Sequence, residues 1–303
     1  AINGEPIPAA DAMSEFMKQG WAESPLAGIT PHSSIAYTKV RRDKLSKQYV
    51  GKRLIFPSGS LKVRSNDTDY QFRAHSAFSW FTGIVASDCV PDSLFVMEPT
   101  TSGHEALLFI HPRSPRNDNE FYKNTRYGEF WVGRRMTLEE TETKYGIKVR
   151  QIESIEEFLK DKKDTLLVRG EDSAIDKLVE ENTEDEKEFL NYISVMRAVK
   201  DKYEIDEMQK AIDASVRGFA DMVRVFPAAT AVPRGERVIE AAFYGRARLE
   251  GNDNGYPSIV ASGAHACVLH WIKNDGDVLP GDLILIDAGV EVESHYTADI
   301  TRT

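Results

Sequence analysis

Short apolar runs bounded by Pro, Gly or Ser punctuate the first half of the chain, at Arg53–Phe56, Ser93–Glu98 and Ala106–His111. Runs of that length and boundary read as buried or half-buried strands. Ile147–Ile152 and Thr165–Arg169 continue the series. Ser154–Lys162 reads as helical, Pro25–Ser33 as a loop and Ala36–Tyr49 as a helix rich in Arg and Lys. Strands interleaved with helices predict an α/β (α+β) domain.

The pattern changes at Glu171–Glu188, where nine acids face two lysines. Such a run reads as a solvated helix face or a hinge, and its far end divides the chain into domains 1–188 and 189–303. Beyond it, Ile205, Met208, Ile212, Val216 and Phe219 recur at intervals of three and four. That spacing predicts an amphipathic helix over Asp201–Phe226, ended by Pro227. A second helix is predicted at Gly235–Glu250, and from Ile259 the texture is strand-like to Thr303.

Candidate chemistry concentrates in that last stretch. Leu283–Ile286 reads as a central strand running into Asp287-Ala288-Gly289, and Tyr296–Thr301 reads as a returning strand with Asp299 inside it. In an antiparallel pair, directly opposed residues sit about 5 Å apart at Cβ. Two carboxylates so placed repel each other unless one is protonated or cations lie between them, and hard divalent ions prefer carboxylate oxygen. The bland reading is turn chemistry around Asp-Ala-Gly, and from spacing alone it is the stronger of the two. Cys267–Ile272 reads as another apolar strand, in which His270 is a core residue before it is a catalyst. His265, five residues away, falls on the opposite face of such a strand. Cys267 reads as core packing, and His295 lies in the connection between the two acidic strands.

Composition narrows the partners. With 303 residues the chain has room for about two domains. Hydrophobic residues make up 41% and charged residues 28%, an ordinary balance for a chain with a real core. The formal charge of −10 disfavours nucleic acid and anionic membrane surfaces as partners. Two cysteines, Cys89 and Cys267, make no disulfide framework. No apolar run approaches the roughly 20 residues that span a bilayer. Ala1–Gly20 lacks the charged start and apolar middle of a secretory signal. A cytoplasmic location is expected.

The motifs in order carry a resemblance. Ile259-Val260-Ala261-Ser262-Gly263, Leu269-His270-Trp271, Leu285-Ile286-Asp287-Ala288-Gly289 and Asp299-Ile300-Thr301-Arg302-Thr303 resemble the successive blocks of the pita-bread metallopeptidases. Arg64–Tyr70, Phe72-Arg73 and Ser76–Gly83 resemble the N-terminal domain of that family's aminopeptidase P branch, and Arg197–Glu204 resembles the family's passage into its catalytic domain. The implied fold is a creatinase/prolidase-type α/β domain followed by the first part of a pita-bread domain.

The resemblance further implies that Asp287 and Asp299 bind two divalent metal ions, often manganese, with Asp299 bridging. His270 would line the active site. A metal-activated water would attack the carbonyl of an Xaa-Pro bond in a proline-containing peptide, and proline's tertiary amide, which has no N–H, gives reason for a dedicated pocket. The family completes its metal site with one His and two Glu further along, so the chain as written is expected to be incomplete as an enzyme, with those ligands on a missing C-terminal part or second chain. Self-association as a dimer or tetramer is also implied. Two departures stand out: Asp287 and Asp299 are twelve residues apart (299 − 287), one more than in many relatives, and His265 stands where relatives commonly carry Asn. Prolidase is the nearest rival activity. A non-catalytic pita-bread binding module and metal-free creatinase are disfavoured because both aspartates are present.

Overall fold

The structure is a computed structural model that describes residues 11–161 and 163–303. Lys162, the end of the helix expected at 154–162, and Ala1–Ala10, within the stretch read for a secretory signal, lie outside the described residues. The chain divides into two compact units, the first ending at Val199 and the second beginning at Lys200.

In the first unit the apolar runs become β1 (Arg53–Pro57), β4 (Leu94–Thr100), β5 (Gly103–Ile110), β6 (Lys148–Gln151) and β7 (Thr165–Leu167), while β2 (Val63–Ser65) and β3 (Thr68–Asp69) form a small hairpin. The large sheet has the order β6-β5-β4-β1-β7, antiparallel at β5-β4 and β4-β1 and parallel at its two outer pairs. The inner strands β1, β4 and β5 carry continuous apolar runs because both faces are covered, whereas edge strand β6 (Lys148-Val149-Arg150-Gln151) does not. Leu54, Phe56, Phe95, Met97, Leu108 and Ile110 enter one core, and Ile55, Val96, Leu107, Phe109 and Leu167 enter another on the opposite side. The segment expected as one helix at 154–162 is instead a 3₁₀ turn, Ile152–Ser154, a single α-turn, Ile155–Phe158, and a second 3₁₀ turn, Leu159–Asp161. Ile155 and Leu159 seat it against the sheet.

The acidic stretch is not a hinge. Its second half opens the helix Thr183–Ala198, capped by the Asn182 side chain, with Glu184, Asp185 and Glu186 in the first turn, where the helix dipole favours anions. Phe189, Ile193 and Met196 of that helix enter the first unit's core. The boundary therefore falls at 199/200 rather than at 188.

The second unit packs helices Lys202–Arg224 and Gly235–Glu250 on an antiparallel sheet of order β12-β10-β9, with β9 at Ile259–Ser262, β10 at Ile284–Ala288 and β12 at Ile300–Arg302. A short ribbon joins β8 (Asp253–Asn254) to β11 (Val290–Glu291). Both helices form where periodicity placed them, but the expected apolar stripe is not the buried face. Ile205, Ile212 and Val216 are exposed, while Ala211, Ala214, Gly218 and Met222 are buried. Small residues win because the helices approach closely: a Cβ on Gly218 would lie 2.6 Å from the Phe243 ring. The strand expected at Cys267–Ile272 is absent. Gly263–Cys267 is a 3₁₀ turn, followed by irregular chain to β10, in which the Val268 N–H donates to His265 O and the Ile272 N–H to His270 O, local turns in place of a ladder. Cys267 is exposed rather than core, whereas Cys89 is buried and burial pushes its thiol pKa up.

A candidate metal centre on the central strand

β10 is the middle strand, as expected, and Asp287 sits within it. Asp287 is paired across from Thr301, not Asp299. Asp299 precedes β12 by one residue and shares Thr301's parity, so it lies diagonally from Asp287 on the same face of the sheet. Such diagonal neighbours are about 7 Å apart, wider than direct opposition. The two carboxylates nevertheless converge. The Tyr256 hydroxyl is 2.5 Å from Asp287 Oδ1 and 3.2 Å from Asp299 Oδ1. Asp287 and Tyr256 are half-buried and Asp299 is exposed, so the cluster opens to solvent on one side. Burial, then the hydrogen bond to Asp287, pushes the Tyr256 phenol pKa up. It is therefore a neutral donor to the carboxylates rather than a third anion.

Close backbone approach makes this geometry. A Cβ on Gly289 would lie 1.6 Å from the Ala298 carbonyl oxygen, so the chain leaving β10 and the chain entering β12 can touch only if residue 289 has no side chain. That is the physical content of Gly in Asp-Ala-Gly. The hairpin between the aspartates also accommodates the twelve-residue spacing. The Val292 N–H donates to Tyr296 O, His295 takes a left-handed conformation (φ 68°), and Glu291 bridges Thr297. A three-residue loop ending in a left-handed residue is a favoured hairpin closure, and His tolerates that conformation better than most side chains. His295 Nδ1 lies 3.1 Å from Glu291 Oε1, within the hairpin.

Helix Lys202–Arg224 fastens the same hairpin. The Tyr296 hydroxyl donates to Glu204 at 2.7 Å, the Ser294 hydroxyl donates to Glu207 at 2.6 Å, and the Val290 N–H donates to Ser215 Oγ at 2.9 Å. Glu204, Glu207 and Ser215 are buried.

The donor set suits a hard divalent ion, with carboxylate oxygens on one sheet face and a neutral phenol between them. It is a partial set: among the described residues, no group of three or more His, Cys, Asp or Glu side chains stands ready to hold a metal. His270 is exposed in the turn that follows the 3₁₀ segment, not in a strand. Sequence reasoning missed Tyr256, although Gly255-Tyr256-Pro257 just before β9 was a visible turn signal.

Comparison with known proteins places these features. Residues 38–167 match the family described as "Aminopeptidase P, N-terminal domain", and residues 206–303 match "Metallopeptidase family M24". The chain joins an aminopeptidase P N-terminal domain to a family M24 metallopeptidase segment. Over 97% of its length the chain is 44% identical to Xaa-Pro aminopeptidase 1 of Streptomyces coelicolor, and over 96% it is 42% identical to Xaa-Pro aminopeptidase 2 of the same organism. The chain spans 59% and 61% of those two relatives' lengths. In fold, a low-pH form of E. coli aminopeptidase P superposes on 89% of the chain and 62% of its own, with a TM-score of 0.71 at 23% identity. The M24 segment contains the whole Asp287–Asp299–Tyr256 cluster, and the N-terminal domain match contains the 64–83 motifs. Within that domain, His75 caps helix Ser76–Thr82, whose Phe78, Trp80 and Phe81 are core residues. Among the described residues no helix is long and apolar enough to cross a membrane.

Proposed function

We propose that the protein is a metal-dependent aminopeptidase that releases the N-terminal residue from peptides with proline in second position. The observation that carries this reading is the convergence of Asp287 and Asp299 on one hydroxyl. The names of the Streptomyces relatives, to which nearly all of the chain aligns over about three fifths of their length, support the substrate class. Asp287 and Asp299 would hold divalent ions, with manganese the metal proposed. Divalent ions bound there supply Lewis acidity, which activates water and polarises the scissile carbonyl. The chain's own residues set the geometry. Tyr256, donating to both carboxylates, holds their rotamers toward each other, and Gly289 lets Asp299 approach β10. His270, exposed beyond the 3₁₀ turn, contacts the peptide.

A protein of the relatives' full length, loaded with manganese, is expected to release the first residue of an Xaa-Pro-Xaa peptide, and chelation should abolish release. Cleavage that continues unchanged under excess chelator contradicts the assignment.

A further inference from the structure

The irregular chain between β9 and β10 carries His270, yet two buried polar side chains hold it tightly. Glu236 and Asn274 are both 0% exposed. Asn274, left-handed at φ 46°, accepts from the Val260 N–H at 2.9 Å and donates to Ser258 O at 2.8 Å, stapling the chain onto β9. Glu236 does more. Its Oε1 accepts from the Ser262 N–H and lies 2.8 Å from His265 Nδ1, and its Oε2 accepts from the Trp271 indole N–H and the Gly276 N–H, all at 2.8 Å. A carboxylate offers about four lone-pair sites, and here every one is taken.

Position and chemistry agree. Glu236 lies in the first turn of helix Gly235–Glu250, where the dipole favours an anion. Its backbone N–H donates to Gly276 O while the Gly276 N–H donates to its side chain, a reciprocal lock. Burial by itself would raise the Glu236 pKa, but the donors from Ser262, Trp271, His265 and Gly276 outweigh it and hold the carboxyl below its usual range. The four donors come from both ends of the segment that contains His270. Trp271 follows His270 directly, and the His265 ring stacks on the Trp271 indole, with centroids 3.8 Å apart and planes at 21°.

We propose that Glu236 is a positioning residue for His270, fixing the exposed turn by gripping Trp271 immediately after it and His265 before it. His265 is then part of the grip rather than of the metal site. The inference rests on the reading that His270 contacts the peptide.

Two measurements test it. In hydrogen–deuterium exchange on the 303-residue chain, Glu236→Gln leaves one acceptor oxygen and an NH₂ facing donors. Exchange of amides 263–276 is expected to rise about tenfold, while β10 and β12 stay protected. Trp271→Phe, which removes one donor and leaves the carboxylate, gives a smaller rise over the same segment. No change in either variant, or a rise spread equally over β10 and β12, overturns the grip. In the enzyme of full length, Glu236→Gln is expected to lower kcat/KM by roughly tenfold or more, but by less than about twofold when His270 is already Ala, because the two act as a unit. Equal losses in both backgrounds, or wild-type turnover by His270→Ala alone, overturn the positioning role. If the unaltered enzyme shows no chelator-sensitive release, the peptidase reading fails instead, and exchange alone decides whether Glu236 grips the turn.

Discussion

In a protein of the relatives' full length with the proposed activity, replacing Asp299 with Ala is expected to lower kcat/KM for an Xaa-Pro peptide by more than about 10²-fold, since losing even an outer partner of a metal ligand costs roughly 10–100-fold. His265→Ala is expected to cost less than about tenfold. The difference follows from what each side chain touches. Asp299 shares the Tyr256 hydroxyl with Asp287 on one face of the sheet. His265 bonds to Glu236 and stacks on Trp271, and Glu236 retains its other three donors without it. Steady-state kinetics on the two variants decides it, and comparable losses would place the site elsewhere.

Gly289→Ala is expected to be the most damaging single methyl addition near the site. Its Cβ would meet the Ala298 carbonyl oxygen at 1.6 Å and the Ala298 carbonyl carbon at 2.5 Å. Both are backbone atoms, so relief requires the strand leading into Asp299 to move by more than about 1 Å. Overpacking a core costs about 1–3 kcal/mol, and displacement on that scale at a reacting centre costs about 10²-fold in rate. Gly245→Ala is the control: it lies inside helix Gly235–Glu250 with nothing within 4 Å of the added Cβ. There, Ala should stabilise by about 0.5–1 kcal/mol. Thermal unfolding and metal titration of both variants check the pair, and a Gly289→Ala protein that melts and binds metal like the parent contradicts the close-approach account.

Much of this fold is legible in the chain because strand burial writes itself as apolar runs. β1, β4 and β5 form where Leu54–Phe56, Phe95–Met97 and Leu107–Phe109 stand. The two helices of the second unit carry their periodicity openly, but which face is buried does not follow from it. Close helix packing selects Ala214 and Gly218 over Ile205 and Val216, and that depends on Phe243 from a distant part of the chain. The acidic run misled for a related reason: Glu184 is solvated at a helix start, but Glu186 is buried there against Arg169, and Phe189, Ile193 and Met196 four turns or fewer onward are core.

The site divides the same way. Asp287 and Asp299 stand out because carboxylates at a strand end and a strand return are conspicuous. Tyr256 and Glu236 do not, since their role exists only once residues 31 and 26 positions away are brought beside them (287 − 256; 262 − 236). The segment around His270 looked like a strand because Val268, Leu269 and Ile272 are apolar, yet all three are exposed. What holds that segment is a buried carboxylate and a buried amide, and neither leaves a periodic trace.

The central claim is that Asp287 and Asp299 form a cation site. Thermal unfolding of the second unit, with and without manganese, tests it in the 303-residue chain and in the double variant Asp287→Asn, Asp299→Asn. At a metal concentration about ten times the dissociation constant, the parent should gain roughly 1.4 kcal/mol, from RT ln 11. For a unit of this size that is a rise of about 5–10 °C. The double variant should begin at or above the metal-free parent, because its like-charge contact is gone, and should not respond to the ion. A parent indifferent to manganese, or a double variant that gains as much as the parent, would contradict the account.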